Sequence, residues 1–244
     1  MTQVPCAAAP LYNVQKQSPS IQVKALHVKF LNKNSAFKDA LGSLSPYRQK
    51  KTLHLLYRRD QNLCLGTGLL LDNLLQTYDL REKDMKYIIN EYGKPCLYGF
   101  PNLHFNLSQA GSYVVGAIGP VALGIDIEQV RLYDWDIASR CMSEAELAYL
   151  HHLPDSKRPE EFTRLWTLKK SYRKAIGASL GERFFPALEI APEKPPHLYG
   201  EKENNCFFWE FDQPGYRGAL CWTSTAEQAQ EIIPPTEIEW QTSV

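Results

Sequence analysis

Residues 124–128, Gly-Ile-Asp-Ile-Glu, place two acids two positions apart inside an apolar run, and they limit the possible fold more than any other segment. The run predicts a strand. Because alternate residues of a strand point to one side, Asp126 and Glu128 project together while the isoleucines turn into a core. Two carboxylates this close repel each other unless a cation or a shared proton lies between them. Mg²⁺ suits the pair because it takes oxygen ligands. The alternative is a strand end whose acids are solvated or salt-bridged.

The segment 160–176 gives the strongest helical signal in the chain, because its apolar side chains recur at spacings of three and four residues. Trp166, Lys170 and Lys174 are four residues apart and share one helix face, with Lys169 beside them. Lysines on a partly apolar helix can bind a diphosphate as point charges. The alternative is a solvated basic face whose tryptophan belongs to the core.

The remaining periodicity predicts an α+β fold made of two similar α+β halves. Predicted strands cover 21–31, 87–89, 104–107, 113–118, 121–127, 187–190, 206–211 and 216–222, and helices begin at Ser45–Pro46 and cover 60–78, 136–139, 143–151 and 160–176. The start at Ser143 is judged one residue short of a capping box. We therefore expect a flexible tail at 1–20, an N-terminal half at 21–120 and a C-terminal half at 121–244.

Composition excludes several classes of protein. The 244 residues carry 27 basic and 27 acidic side chains, a balance that argues against a nucleic-acid-binding protein. A hydrophobic content of 44% is enough for a real core. Six cysteines without a CxxC motif predict free thiols, and neither a signal peptide nor an apolar run of about 20 residues is visible. We therefore expect a cytoplasmic protein without a membrane segment.

Two further segments carry groups that suit an anionic ligand. Residues 91–95 form a predicted turn that contains Lys94 next to Pro95. Residues 105–111 end a predicted strand with Ser108, Gln109 and a flexible glycine. Strand ends of this composition commonly expose backbone N–H groups to anions. Together with the paired acids and the lysine helix, these segments describe a site for a nucleotide diphosphate.

In order and spacing, four motifs of the chain resemble the 4′-phosphopantetheinyl transferases of the surfactin-synthetase-activating (Sfp) type. The resemblance extends from about Ser45 to Gly181 and weakly to Trp222. Its specificity comes from the ordered combination, since any one motif alone would be weak. The motifs are Tyr92-Gly93-Lys94-Pro95, Phe105-Asn106-Leu107-Ser108, Gly124-Ile125-Asp126-Ile127-Glu128 and Trp166-Thr167-Leu168-Lys169-x-Ser171-x-x-Lys174.

The resemblance implies a monomeric pseudo-dimer of two α+β halves with coenzyme A in the cleft between them. Enzymes of the family move phosphopantetheine from coenzyme A to a serine of an apo acyl or peptidyl carrier protein and release 3′,5′-ADP. By the same resemblance, Asp126 and Glu128 are catalytic and hold Mg²⁺, and Lys174 contacts phosphate. The implied nucleotide-binding residues are Lys94, Pro95, Ser108, Gln109 and Lys169.

This chain departs from the family pattern at three positions. The family has a glutamate, the third acid of the metal site, where this chain has Lys170. A lysine there would occupy the cation's place with its own ammonium group and weaken metal binding. The family usually has histidine at Gln109 and a basic residue at Asn62, both for the 3′-phosphate of coenzyme A. Arg58 and Arg59 are the expected substitutes.

Three functions therefore stay open from the sequence. The first is an active phosphopantetheinyl transferase with an altered metal site. The second is a catalytically impaired homologue that binds a carrier protein or a ligand like coenzyme A, with Lys170 in an internal ion pair with Asp126 or Glu128. The third is a related transferase that acts on a different nucleotide.

Overall fold

The computed structural model describes residues 19–90, 93–177, 184–199 and 205–243. The chain divides into two compact units. Unit 1 consists of Met1–Val121 and Ile232–Val244, and unit 2 consists of Ala122–Glu231. Nearly all of the predicted N-terminal tail, together with Cys6, lies outside the described residues.

Unit 1 is built from helices and strands in one α+β arrangement, numbered here in chain order along the whole protein. Its elements are β1 (Gln22–His27), a 3₁₀ helix (Val28–Asn32), α1 (Asn34–Ser43), α2 (Pro46–Leu53), α3 (Arg58–Gln76), a second 3₁₀ helix (Glu82–Asp84), β2 (Tyr87–Ile89), β3 (Pro95–Leu97), β4 (His104–Ala110), β5 (Tyr113–Gly119) and β11 (Glu239–Gln241). Strands β11, β1, β5 and β4 form one sheet in that order, and β2 pairs with β3.

The core of unit 1 lies between this sheet and α3. Leucines of α3, including Leu70 and Leu74, are completely buried and pack with residues of β1 and β5. Ser45 caps α2 as predicted, since its hydroxyl accepts a hydrogen bond from the Arg48 backbone N–H. The α+β fold class is therefore confirmed for this unit.

Unit 2 has a similar composition of elements. They are β6 (Leu123–Gln129), α4 (Trp135–Cys141), α5 (Glu144–His152), α6 (Arg158–Ile176), α7 (Phe184–Ala187), β7 (Ile190–Ala191), β8 (His197–Leu198), β9 (Cys206–Gln213), β10 (Tyr216–Thr223) and α8 (Ala226–Glu231). Strands β6, β10 and β9 form an antiparallel sheet in that order. Both units thus combine a 19-residue helix, α3 or α6, with a largely antiparallel sheet.

Helix α6 lies against β6 at an unusually short distance because β6 has a glycine at the contact. A Cβ atom built on Gly124 would fall within 2.6 Å of the Lys174 carbonyl carbon. It would come closer still to the backbone of Ala175 and Ser171. A side chain at this position is therefore excluded, and the helix backbone itself fills the space. Since Asp126 and Glu128 follow Gly124 at intervals of two, they lie on the strand face that α6 covers.

Several boundaries differ from the sequence predictions. Strand β1 ends at His27 instead of continuing to residue 31, because its partner β5 begins at Tyr113, opposite His27. Helix α3 already begins at Arg58, so this arginine and its neighbour form the first helical turn. The strand predicted over 187–190 is wrong, since α7 covers Ala187 and β7 begins at Ile190. Strand β4 continues through Ala110.

The C-terminal segment also differs from the predicted domain division. The predicted C-terminal half ran to residue 244, but Ile232–Val244 belongs to unit 1. Strand β11 pairs in parallel with β1, and Glu239 forms an ion pair with Lys24 at 3.2 Å. The apolar pattern of this segment is too short to reveal a partner so distant in sequence.

The contact at Gly124 predicts that Gly124→Ala will destabilise the protein. The added methyl group must push α6 away from β6, and overpacking of this kind costs roughly 1–3 kcal/mol and sometimes more. Urea unfolding followed by circular dichroism would measure the loss in the free energy of unfolding.

The matched control is Gly42→Ala in α1, where a Cβ atom meets nothing within 4 Å. There the same substitution favours helix and should stabilise by up to about 1 kcal/mol. Equal stability of the two variants would show that the approach of α6 to β6 is looser than described.

Candidate functional site

The predicted acid pair lies on one face of β6, as the alternation of the strand requires. The Asp126 side chain is completely buried, whereas that of Glu128 is 31% exposed. Both carboxylates face α6, whose residues Lys170 and Lys174 lie one helical turn apart. The structure therefore brings Asp126 and Glu128 together with Lys170 and Lys174.

Each carboxylate of this cluster has a lysine partner. The Lys174 Nζ donates to Asp126 Oδ1 at 2.7 Å and to the Ile125 carbonyl oxygen at 2.9 Å. The Lys170 Nζ forms an ion pair with Glu128 and lies 3.2 Å from Asp126 Oδ2. Lys170 thus bridges the two acids, and we call Asp126, Glu128, Lys170 and Lys174 the acid–lysine cluster.

The two lysines respond differently to burial. Burial lowers the pKa of Lys170, but the charges of Asp126 and Glu128 more than compensate and the net shift is upward. Burial also lowers the pKa of Lys174, and there Asp126 opposes the shift only in part. The Lys174 nitrogen nevertheless donates to two oxygen acceptors, which favours its protonated form.

The arrangement does not fit a divalent cation held by Asp126 and Glu128. A metal that bridged the two carboxylates would need the position that the Lys170 ammonium group occupies, and the like charges would repel. Mg²⁺ also requires oxygen ligands at about 2.0–2.1 Å in a nearly octahedral shell. Among the described residues, no group of three or more His, Cys, Asp or Glu side chains could hold a metal ion. The negative charge of the predicted two-carboxylate magnesium site is therefore already neutralised by lysines of the protein itself.

In unit 1, Arg58 is fixed by internal contacts. Its guanidinium donates to Asn62 Oδ1 at 3.1 Å and to the Leu31 carbonyl oxygen at 3.0 Å, and it lies over the Phe37 ring. Asn62 itself is buried. Arg59 is exposed in the same helical turn. Both arginines are exposed, and Arg58 is the one held by these internal contacts.

The predicted anion loop of unit 1 has a different structure. Ser108 and Gln109 lie inside β4 and pair with Val115 and Val114 of β5, so their backbone is in register within a ladder rather than at a strand end. The Gln109 side chain accepts a hydrogen bond from the Thr67 hydroxyl at 3.3 Å. The extra length of β4 explains the difference, because the turn begins only after Ala110.

Lys94 and Pro95 lie where the hairpin β2–β3 turns. The Lys94 backbone N–H donates to Asn90 Oδ1 at 2.7 Å, and Pro95 begins β3. The positive charge of Lys94 also acts on His104, although burial is the larger reason that the pKa of this histidine falls to about 4. Residues 91 and 92 of the predicted turn lie outside the described part of the chain.

Comparison with known proteins supports the resemblance seen in the motifs. A family model described as the 4′-phosphopantetheinyl transferase superfamily matches residues 122–221, which contain the acid–lysine cluster. The 4′-phosphopantetheinyl transferase psf-1 of Bacillus pumilus is 33% identical over 160 residues, covering 64% of this chain and 69% of the relative. This chain belongs to the 4′-phosphopantetheinyl transferase superfamily.

Further relatives place it with the Sfp type. The 4′-phosphopantetheinyl transferase Sfp of Bacillus subtilis (strain 168) is 28% identical over 187 residues, covering 73% of this chain and 81% of the relative. The 4′-phosphopantetheinyl transferase gsp of Aneurinibacillus migulanus is 36% identical over 116 residues, covering 48% of each protein.

In this member of the superfamily, Lys169 lies apart from the acid–lysine cluster. Its side chain is completely buried and forms an ion pair with Glu146. It also donates to the carbonyl oxygens of Cys141 at 3.0 Å and Phe185 at 2.7 Å. The ammonium group of Lys169 is thus engaged in internal bonds and has no solvent-accessible surface. Its contact with coenzyme A stays a prediction.

Glu146 is the structural residue that the sequence analysis missed. It completes a true capping box with Ser143, so the judgement that this start was one residue short is wrong. Its other oxygen accepts from the Ile190 backbone N–H at 2.9 Å. Burial raises the pKa of Glu146 and lowers that of Lys169, and each partner opposes the other's shift. The spacing Ser-x-x-Glu, counted from the cap, is the signal that reveals this role.

The buried ion pair of Lys169 and Glu146 predicts that Lys169→Met will strongly destabilise this protein. The methionine fills most of the space but leaves Glu146 as an uncompensated buried charge, which typically costs about 3–5 kcal/mol. The free energy of unfolding in urea would report the loss. Lys157→Met is the control, because this lysine is exposed just before α6 and should change stability by less than about 0.5 kcal/mol.

The double variant Lys169→Met/Glu146→Gln tests the pairing directly. If the two side chains interact as described, the double variant will lose less stability than the sum of the two single variants. Strict additivity would contradict the ion pair.

Proposed function

We propose that this protein transfers 4′-phosphopantetheine from coenzyme A to a serine of an apo acyl or peptidyl carrier protein. The observation that carries the proposal is the acid–lysine cluster itself, which lies within the segment that matches the superfamily model. The relatives' names describe transfer of a 4′-phosphopantetheinyl group. The monomeric state and cytoplasmic location expected from the sequence belong to this proposal.

In the proposed step, the serine oxygen forms a bond to the phosphorus that carries pantetheine. The bond from that phosphorus to the bridging oxygen of the diphosphate breaks, 3′,5′-ADP leaves, and the serine proton is lost to a base. Negative charge therefore grows on the leaving phosphate. The side chains of Lys170 and Lys174 are 20% and 22% exposed, and in this proposal each ammonium group adds a phosphate contact beside its carboxylate contact. Fixed positive charge near the leaving group lowers the barrier.

The contact set proposed in unit 1 is smaller than the sequence suggested. Lys94, Pro95 and Ser108 stay candidates for lining the nucleotide, and Arg59 is the candidate for the 3′-phosphate.

Among the described residues, none of the helices has the length and apolar character needed to span a membrane.

A second function is favoured by one specific observation. The ion pairs of Lys170 with both Asp126 and Glu128 match the hypothesis of a homologue that binds coenzyme A or a carrier protein without efficient transfer. In that case Lys170 would stay paired with Asp126 and Glu128, and no serine of a carrier protein would be modified.

Mass spectrometry of an apo carrier protein after incubation with this protein, coenzyme A and Mg²⁺ separates the two functions. We expect the carrier to gain the mass of one phosphopantetheine group. Lys174→Ala should lower the rate by roughly 10²–10³-fold, as the loss of one charge-stabilising donor typically does. Lys157→Met, far from the acid–lysine cluster in sequence and exposed, should keep the native rate.

Calorimetric titration with coenzyme A completes the test. Coenzyme A that binds while no carrier from a panel of acyl and peptidyl types gains mass would support the binding homologue. Absence of modification, together with absence of binding to coenzyme A and to the carriers of the panel, would overturn both functions.

A further inference from the structure

We propose that the Lys170 ammonium group takes the place of a divalent cation, so that this protein binds coenzyme A and transfers phosphopantetheine without a metal in the acid–lysine cluster. The inference rests on the proposed function and names the group that carries the positive charge in it.

The balance of charge in the acid–lysine cluster supports this role. Two carboxylates face two ammonium groups, and their formal charges cancel. With a glutamate at position 170, three carboxylates and Lys174 would leave two net negative charges, which is the charge that one Mg²⁺ neutralises. Replacing that glutamate with lysine changes the local charge by the same amount as binding the metal does. The substitution therefore supplies the missing charge in full.

The position of Lys170 supports the same role. Its Nζ reaches both carboxylates at once, which is what a bridging cation does. The nitrogen also lies 5.8 Å from the centre of the Trp166 ring, one turn earlier on α6, where a cation is attracted to the aromatic face. Because the helix backbone lies against Gly124, the base of the Lys170 side chain cannot drift from β6. The ammonium group is thus held in place by the fold, whereas a metal would have to be taken from solution.

The proposal has a consequence for variants at position 170. Lys170→Glu restores a third carboxylate beside Asp126 and Glu128 and leaves net negative charge that a divalent cation can neutralise. Lys170→Met keeps the length of the side chain but removes its charge without adding a ligand. Transfer by Lys170→Glu should then require a metal ion. Lys170→Met should lack the ammonium group and should bind no metal ion in its place.

Metal binding alone gives the first test, and it does not depend on activity. The probe is MgCl₂ in millimolar excess, with the melting temperature and the heat of titration as readouts. We expect no binding by the native protein and a clear rise in the melting temperature of Lys170→Glu. Lys170→Glu/Asp126→Asn should lose that rise. Stoichiometric Mg²⁺ binding by the native protein that disappears in Asp126→Asn would overturn the proposal.

Transfer in the presence of EDTA gives the second test, and the native protein alone decides its outcome. With coenzyme A and an apo carrier protein, the native rate should change by less than twofold when EDTA replaces Mg²⁺. Lys170→Glu should fall by at least 10²-fold under the same change, and Lys170→Met should be slow in both conditions. Lys157→Met should behave as the native protein.

The outcomes separate failure of this inference from failure of the proposed function. Native transfer that occurs with Mg²⁺ and stops in EDTA would overturn the inference and leave the function standing. No transfer and no coenzyme A binding in either condition would overturn the function, and the transfer role of Lys170 would fall with it. If Lys170→Glu does not fold, as judged by circular dichroism, the EDTA comparison on the native protein still decides the point.

Discussion

The close packing of α6 on β6 at Gly124 is the constraint on which the candidate site depends. Because the backbone of Ser171 and Ala175 fills the space of a side chain there, the helix crosses the strand at one fixed point. From that point the strand continues to Asp126 and Glu128, while the helix presents Lys174 and then Lys170. The absence of a side chain at Gly124 thus sets the separation between the four charged side chains of the acid–lysine cluster.

The acid–lysine cluster shows how the charge of a buried acid is compensated within a fold. Asp126 has no exposed surface, and an isolated carboxylate there would be prohibitively costly. Two lysines and a backbone contact of Lys174 supply the compensation. A metal could do the same, with water and phosphate oxygens as its remaining ligands. The protein already satisfies the charge with groups that belong to the chain, which is why the cluster can exist without a bound ion.

Much of this arrangement could be predicted from the sequence, because it follows from local periodicity. The period of two placed Asp126 and Glu128 on one face, and the period of 3.6 placed Lys170 and Lys174 on one helix face; both predictions are confirmed. The direction of Lys169 could not be predicted, since it depends on Glu146 from another helix. The extent of β4 was equally hidden, because only the pairing with β5 shows that Ser108 lies within the ladder.

The adjacent lysines 169 and 170 connect the core of unit 2 to the candidate site. Successive residues of a helix point about 100° apart, so a helix whose rotation places Lys169 inside must turn Lys170 towards a different neighbour. Here Lys169 is held by Glu146 and two carbonyl groups, and Lys170 reaches the acids of β6. Rotation of α6 about its axis would therefore disturb both the buried pair and the contact of Lys170 with Glu128. The same Glu146 caps α5 and accepts a hydrogen bond from β7. The direction of the Lys170 side chain therefore depends on a carboxylate that lies outside the acid–lysine cluster. On this argument the buried pair of Lys169 and Glu146 fixes the rotation of α6 that turns Lys170 towards the acids of β6.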